Sequence, residues 1–358
     1  MIMYLGSKKL LLPLLEDVVS TISPNGGVVA DLFSGSCRVG HALKKKGYKV
    51  LSNDHNTYAA TLGKCYVQSD LGDHQKSATS LIRELNGLPG SPGYFTETFC
   101  QKSRFFQPKN GERIDAIRES IAKKGLDPEL ESILLTSLME AANKVDSTVG
   151  LQMAYLKKWS SRSFKDLELQ MPEVLPQASS GKGESYQLDA VDASQKLSSD
   201  IAYLDPPYNS HKYLGNYHIW ESLVLWDKPE VYGVACKRVD CQTRKSPFNY
   251  KESAKKALED IFSNLRAPHI VVSFNNEGFF TSEDMTTMLS KKKYVYVIEK
   301  EHRRHKGAEI GIHNLKGEKV GEVSHLKNIE YTYVATSDDS VAERLKNRNT
   351  SESLLFSS

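Results

Sequence analysis

At 358 residues the chain is long enough for one large catalytic core with an appended module, or for two modest domains. Its 39% apolar and 25% charged content is ordinary for a folded protein and excludes wholesale disorder. A formal net charge of +3 neither requires nor excludes a nucleic-acid partner, because phosphate binding depends on local clusters of cations.

Leu10 to Ile22 has helical apolar spacing and stops at the breaker cluster Ser23-Pro24-Asn25-Gly26-Gly27. Val28 to Phe33 then reads as a short buried strand, Ser34-Gly35-Ser36 as a turn, and Val39 to Lys46 as a second helix ended by Gly47. Tyr48 to Asp54 is a second strand with an acid at its carboxyl end. These elements form a βαβ unit, which predicts a parallel sheet with right-handed crossovers. From about 56 to 180, helical patterns at Lys76–Leu85, Arg113–Lys124 and Glu129–Lys144 alternate with irregular stretches, and Ser179–Ser185 reads as an exposed loop. Strands return at Ile201–Leu204, Ile270–Phe274, Tyr294–Ile298 and Ile329–Val334. The expected fold class is α/β, a Rossmann-like sheet with helices on both faces. Residues 1–60 and 181–340 would form its catalytic domain, 61–180 an inserted, mainly helical module, and 341–358 a loose C-terminal tail.

The scattered cysteines (Cys37, Cys65, Cys100, Cys236, Cys241) have no partners at metal-ligand spacing and read as free thiols, with no metal site. Lysines and Glu16-Asp17 interrupt the N-terminal apolar run, and no stretch approaches the about 20 apolar residues of a membrane span. The expectation is a cytoplasmic protein without a membrane partner.

In an open α/β sheet, ligands sit beyond the carboxyl ends of the strands. Three such ends carry suggestive residues. Asp31-Leu32-Phe33-Ser34-Gly35 offers a glycine turn that lets a ligand approach backbone amides, and Asp54 is placed to accept from the hydroxyls of a ribose. Each alone is compatible with an ordinary turn or a helix cap, and no G-x-G-x-x-G is present. Asp205-Pro206-Pro207-Tyr208 is more specific. Two prolines remove two backbone donors and stiffen the chain directly after an apolar strand. That arrangement fixes a carboxylate, a proline carbonyl and an aromatic ring around one small planar group. Asp205 and the Pro206 carbonyl can accept both hydrogens of an exocyclic amine, with Tyr208 stacked on its base.

These residues resemble the motifs of the Dam-like, alpha-class DNA adenine methyltransferases. Tyr4-Leu5-Gly6-Ser7-Lys8 resembles the family's cofactor-carboxylate segment, with Tyr4 and Lys8 its candidate contacts. Asp31, Phe33, Ser34, Gly35 and Ser36 stand in its glycine motif, and Asp54 matches its ribose-binding acid. Asp189, in Leu188-Asp189-Ala190, resembles the acid that binds the cofactor's adenine amine. Asp205 to Tyr208 looks like the catalytic tetrad, and Val272-Ser273-Phe274-Asn275 like a later core strand. The motif order, with a long insertion before the tetrad, is the alpha-class order. The resemblance implies S-adenosylmethionine as cofactor and the N6 amine of a flipped adenine in double-stranded DNA as target. It also implies a prokaryotic restriction-modification setting, with a restriction endonuclease as a further partner. One departure is Cys37, where many relatives carry a second glycine; a small side chain there should be accommodated.

Two basic regions could hold DNA. The first, within the insertion, runs from Lys102 through Arg104 to Arg113 and continues at Lys157-Lys158-Trp159. The second runs from Lys300 to Lys316 and includes Arg303 and Arg304, before an expected hairpin ending near Lys319. Lys212, just after the tetrad, is close to the target base by connectivity. Phosphate contacts position a protein on DNA and base contacts specify its site, and the sequence does not separate the two. Two other readings stay open here: methylation of RNA or of a protein glutamine, and a non-catalytic nucleic-acid-binding module with a degenerate pocket.

Overall fold

A computed structural model describes residues 1–303, 312–313, 319–321, 327–348 and 354–357. Val28–Asp31 (β1) is flanked by two parallel neighbours, Lys49–Asn53 (β2) and Ile201–Leu204 (β4). Glu184–Tyr186 (β3) extends the sheet beyond β2, and His269–Asn275 (β5) runs parallel to β4. Tyr294–Arg303 (β6) and Lys327–Thr336 (β7) form a long antiparallel pair, with β7 inserted between β5 and β6, and Leu354–Ser357 (β8) closes that edge. Among the described residues the sheet has eight strands in the order β8-β6-β7-β5-β4-β1-β2-β3. Strand order reverses at β1, where the chain crosses from β2 and β3 to β4, and that is where an open sheet forms its ligand crevice.

Side chains alternate across the central strands, so each strand feeds two cores. Val29, Ile201, Tyr203 and Val271 enter one apolar cluster, while Ala30, Ala202, Leu204, Ile270 and Val272 enter the other. The second cluster is covered by Ala190–Lys196 (α7), Lys251–Asn264 (α9) and Ser282–Leu289 (α10). The first is covered by Leu12–Ile22 (α1), Arg38–Lys45 (α2) and His218–Leu225 (α8). It also takes in the helices of the inserted region, Thr57–Gly63 (α3), Leu71–Asn86 (α4), Pro108–Lys123 (α5) and Pro128–Val145 (α6). The insertion is thus helical, but it shares its core with the sheet. It also braces the chain that follows the tetrad, because buried Arg118 of α5 donates to the carbonyls of Leu223 (2.8 Å) and Val224 (3.0 Å) at the end of α8.

Two expectations need correction. The stretch Ser179–Ser185 is not all loop, since β3 begins at Glu184 and pairs with β2. The expected tail from 341 contains ordered structure: Asp339–Lys346 (α11) is capped by Asp338 and packs Val341, Ala342 and Leu345 into the first core. Arg344 donates to the carbonyls of Thr21 and Ile22, so α11 satisfies the free end of α1. Its apolar stripe is only two turns long, too short to stand out from a charged background.

Candidate active site

The turn after β1 is fastened to the end of β2. The backbone amide and hydroxyl of Ser34 both donate to the Asn53 carbonyl, at 2.9 and 2.8 Å. Gly35 has φ +50°, and a Cβ there would lie 2.9 Å from the Tyr4 ring, so a side chain would both strain the backbone and collide. Its amide donates to Asp54 Oδ2 at 3.0 Å, while Asp54 Oδ1 accepts from the Asn56 amide at 2.9 Å. Cys37 also lies in the left-handed region, at φ +57°, a conformation that favours glycine. Its thiol is fully buried, and the bare Cα of Gly63 leaves it room.

Buried Asn53 links this turn to the next strand end. It donates to the carbonyls of Leu32 and Leu188 and accepts from the Leu188 amide at 3.0 Å. Asp189 follows and caps α7, accepting from the Val191 amide at 2.9 Å. Asp31 is 1% exposed, and neither of its oxygens makes a well-formed hydrogen bond. Burial, then the nearby Asp205 charge, hold its carboxyl well above the usual carboxylate range, the Phe33 amide opposing weakly. Arg38, the first residue of α2, has a buried Nε without a partner. Orphaned polar groups of this kind in a cleft wall mark a place built for a polar ligand.

The end of β4 is organised by side chains brought from far away. Tyr208 donates to Asp205 Oδ1 at 2.6 Å, and Lys8 donates to the Tyr208 hydroxyl. The Lys8 ammonium is also 3.2 Å from Asp205 Oδ1 and 3.7 Å from Glu330 on β7. Burial raises the Asp205 carboxyl above its ordinary range, while Lys8, then the Tyr208 hydroxyl, act to lower it. The Tyr208 ring has Lys8 over it, 4.7 Å from the centroid, and tilts against Phe274 at 4.8 Å. In this arrangement the Tyr208 hydroxyl is engaged by both Asp205 and Lys8.

One cleft joins the two groups. Tyr4, Lys8, Asp31, Phe33 and Ser34 line it, as do Gly35, Ser36, Asp54 and Asp189, and so do Asp205 and Pro207. Pro206 and Tyr208 are not among its lining residues. Lys212 reaches the cleft, and Tyr213 beside it stacks with Tyr4 at 5.6 Å. Arg104 and Lys158 do not line it; Arg104 donates to the Lys157 carbonyl at 2.9 Å and sits over the Trp159 ring. Arg303 ends β6 and Arg304 lies outside the described residues. Sequence reasoning missed Arg38, Glu330 and the segment Arg244-Lys245-Ser246, which lines the cleft. Arg244 is held by the fully buried Glu221 at 2.9 Å, and Glu221 also accepts from the Thr57 and Tyr58 amides that open α3.

A mixed sheet of this order, with an acid-rich cleft at the carboxyl ends of its parallel strands, defines a Rossmann-like methyltransferase. The family model of the D12 class N6 adenine-specific DNA methyltransferases matches residues 4–287. The chain is 30% identical over 336 residues to the type II methyltransferase M.NlaIII of Neisseria lactamica, covering 90% of this chain and 98% of that protein. It is 31% identical over 303 residues to the modification methylase StsI of Streptococcus sanguinis, covering 80% of this chain and 46% of that protein. For M.FokI of Planomicrobium okeanokoites the figures are 30% over 304 residues, 80% and 46%. The chain therefore spans nearly all of one relative and about half of the other two. It belongs to the D12 class of N6 adenine-specific DNA methyltransferases. Among the described residues no helix is long and apolar enough to cross a membrane.

Proposed function

We propose that this protein methylates the exocyclic N6 of a flipped adenine in double-stranded DNA, using S-adenosylmethionine. We further propose that it acts in a prokaryotic cytoplasm as the modification component of a restriction-modification system, with a restriction endonuclease as counterpart. The observation that carries the reading is the carboxylate of Asp205, held by Tyr208 and Lys8 in the wall of a cleft also lined by Asp31, Gly35 and Asp54.

The residues fit the cofactor chemically. Asp54 would take the ribose hydroxyls, Asp189 the adenine amine, and Tyr4, Asp31 and Phe33 to Ser36 would enclose the remainder. Arg38, whose buried Nε has no partner, is a cation available to the cofactor's carboxylate, whereas Lys8, at the same cleft, is already paired with Asp205. When bound, the cofactor supplies a methyl group already made electrophilic by its sulfonium. The protein's own task is to prepare the amine. Tyr208 and Lys8 both engage Asp205 Oδ1, so Oδ2 is the oxygen offered to one amine hydrogen, and the Pro206 carbonyl accepts the other. Two such bonds favour a pyramidal nitrogen whose lone pair is no longer spread into the ring. Holding the partners in line supplies much of the remaining rate. Because the amine is unreachable inside a duplex, the base must leave the stack at a cost of a few kcal/mol. Lys212 would meet the backbone beside the flipped base, with Arg104, Lys158, Arg303 and Arg304 as further candidate phosphate contacts.

Labelled S-adenosylmethionine offered with unmethylated duplex DNA, RNA or protein tests this. Label on DNA adenine is expected; label on RNA or protein alone, or none, contradicts the reading.

A further inference from the structure

Lys8 stands between two acids far from it in the chain, Asp205 and Glu330. Its side chain is 5% exposed, and those of Asp205 and Glu330 are 20% and 17% exposed. It lies closer to Asp205, at 3.2 Å, than to Glu330, at 3.7 Å. Glu330 Oε2 is buried and makes no hydrogen bond within normal geometry. Glu330 is not on a loop, where its position could drift. It sits in β7, paired to Asn275 of β5 and Lys300 of β6.

This geometry poses a chemical problem for the proposed reaction. A buried ammonium on Asp205 is a stronger donor than a neutral amine, because charge-assisted hydrogen bonds are about twice as strong as neutral ones. Held on Oδ1, that ammonium draws the carboxylate's charge away from an amine hydrogen at Oδ2 unless a second anion shares it. Glu330, with Oε2 3.7 Å from the ammonium, is that second anion. We propose that Glu330 is a positioning residue for methyl transfer: it shares the Lys8 ammonium, so that Asp205 keeps its charge on Oδ2 for the incoming amine. Glu330 acts only through Lys8 and touches neither substrate nor cofactor. The inference rests on the amine-methylating reading of the cleft.

Steady-state transfer of tritiated methyl groups from S-adenosylmethionine to unmethylated phage DNA tests it, with the wild type, Glu330→Gln and Glu330→Asp compared. Glu330→Gln keeps the shape and removes the charge. Its kcat should fall about tenfold or more, while KM for S-adenosylmethionine stays within about threefold. Its melting temperature should stay within about 5 °C of the wild type, which separates this role from a merely structural one. Glu330→Asp, with the acid drawn back by one methylene, should give an intermediate kcat, and it decides the matter alone if Glu330→Gln does not fold. A kcat within about twofold of the wild type, or a loss confined to KM, overturns the proposal. An active wild type with indifferent variants removes only this inference, whereas an inactive wild type removes the functional reading beneath it.

Discussion

The part of the cleft at the ends of β1 and β2 and the part at the end of β4 are built differently. In the first, contacts run mostly through backbone: the Gly35 amide on Asp54, the Ser34 amide and hydroxyl on the Asn53 carbonyl, and Asn53 on Leu188. In the second, charged and hydroxyl side chains from Lys8, Asp205, Tyr208 and Glu330 meet across more than three hundred residues of chain. The first part is a rigid cradle that strand geometry makes almost unaided. The second is an electrostatic cluster whose balance sets the state of one carboxylate. Substitutions in the cradle should therefore act on cofactor affinity, and those in the cluster on turnover and its pH dependence.

The largest expected effect is in the cluster. Asp205→Ala should reduce methyl transfer by about 100- to 1000-fold or more, a loss typical of removing one preorganised transition-state contact. Cofactor affinity by calorimetry should change little, and near-normal turnover in this variant would dissolve the distinction. In the cradle, Asp54→Ala removes a half-buried acceptor. Loss of charged hydrogen bonds worth about 1.5–3 kcal/mol should weaken cofactor binding about 10- to 100-fold. Turnover at saturating cofactor should largely survive, and a loss of kcat with affinity intact would reverse the assignment of the two halves.

The pH profile separates the halves more finely. Asp205 accepts from the amine only when ionised, and burial raises its carboxyl above the ordinary range. Activity should therefore be present above that raised value and fall as pH drops through it, giving an acid limb above the ordinary carboxylate range. Lys8 is the foremost influence holding the carboxyl down, so Lys8→Met should move the limb of kcat/KM to higher pH. A limb that stays put or moves lower would contradict the coupling. The smallest effect belongs to Cys37→Gly. It relieves about 1 kcal/mol of left-handed strain and gives up a similar amount of buried side chain, so the midpoint in urea should shift by little. A large destabilisation would mean that the thiol packs more tightly than its place against Gly63 indicates.

The cradle was legible in the sequence because its residues are neighbours: Asp31 to Ser36 in one turn, Asp54 one strand later, Asp205 to Tyr208 in one run. Hydrophobic alternation and glycine placement are local signals, and they positioned β1, β2 and β4. The cluster was legible only in part. Glu330 looked like one more charge on a long antiparallel strand, and nothing local distinguishes it from Glu299 or Glu301; its meaning comes from register with β5. Lys8 appeared in a cofactor motif, and only the fold revealed that it reaches Asp205. Arg244 stayed hidden because its partner, Glu221, lies on α8, and the full burial of that carboxylate is a tertiary property. Short elements with weak stripes, β3 and α11, went unread for the same reason: tertiary packing, not local pattern, makes them.

The most direct test of the central claim is to express the protein in a host lacking adenine methylation and to map modified bases across the genome by single-molecule sequencing. The account predicts N6-methyladenine at one short recurring sequence, lost in Asp205→Ala. An unmodified genome, or methylation confined to cytosine, would contradict it.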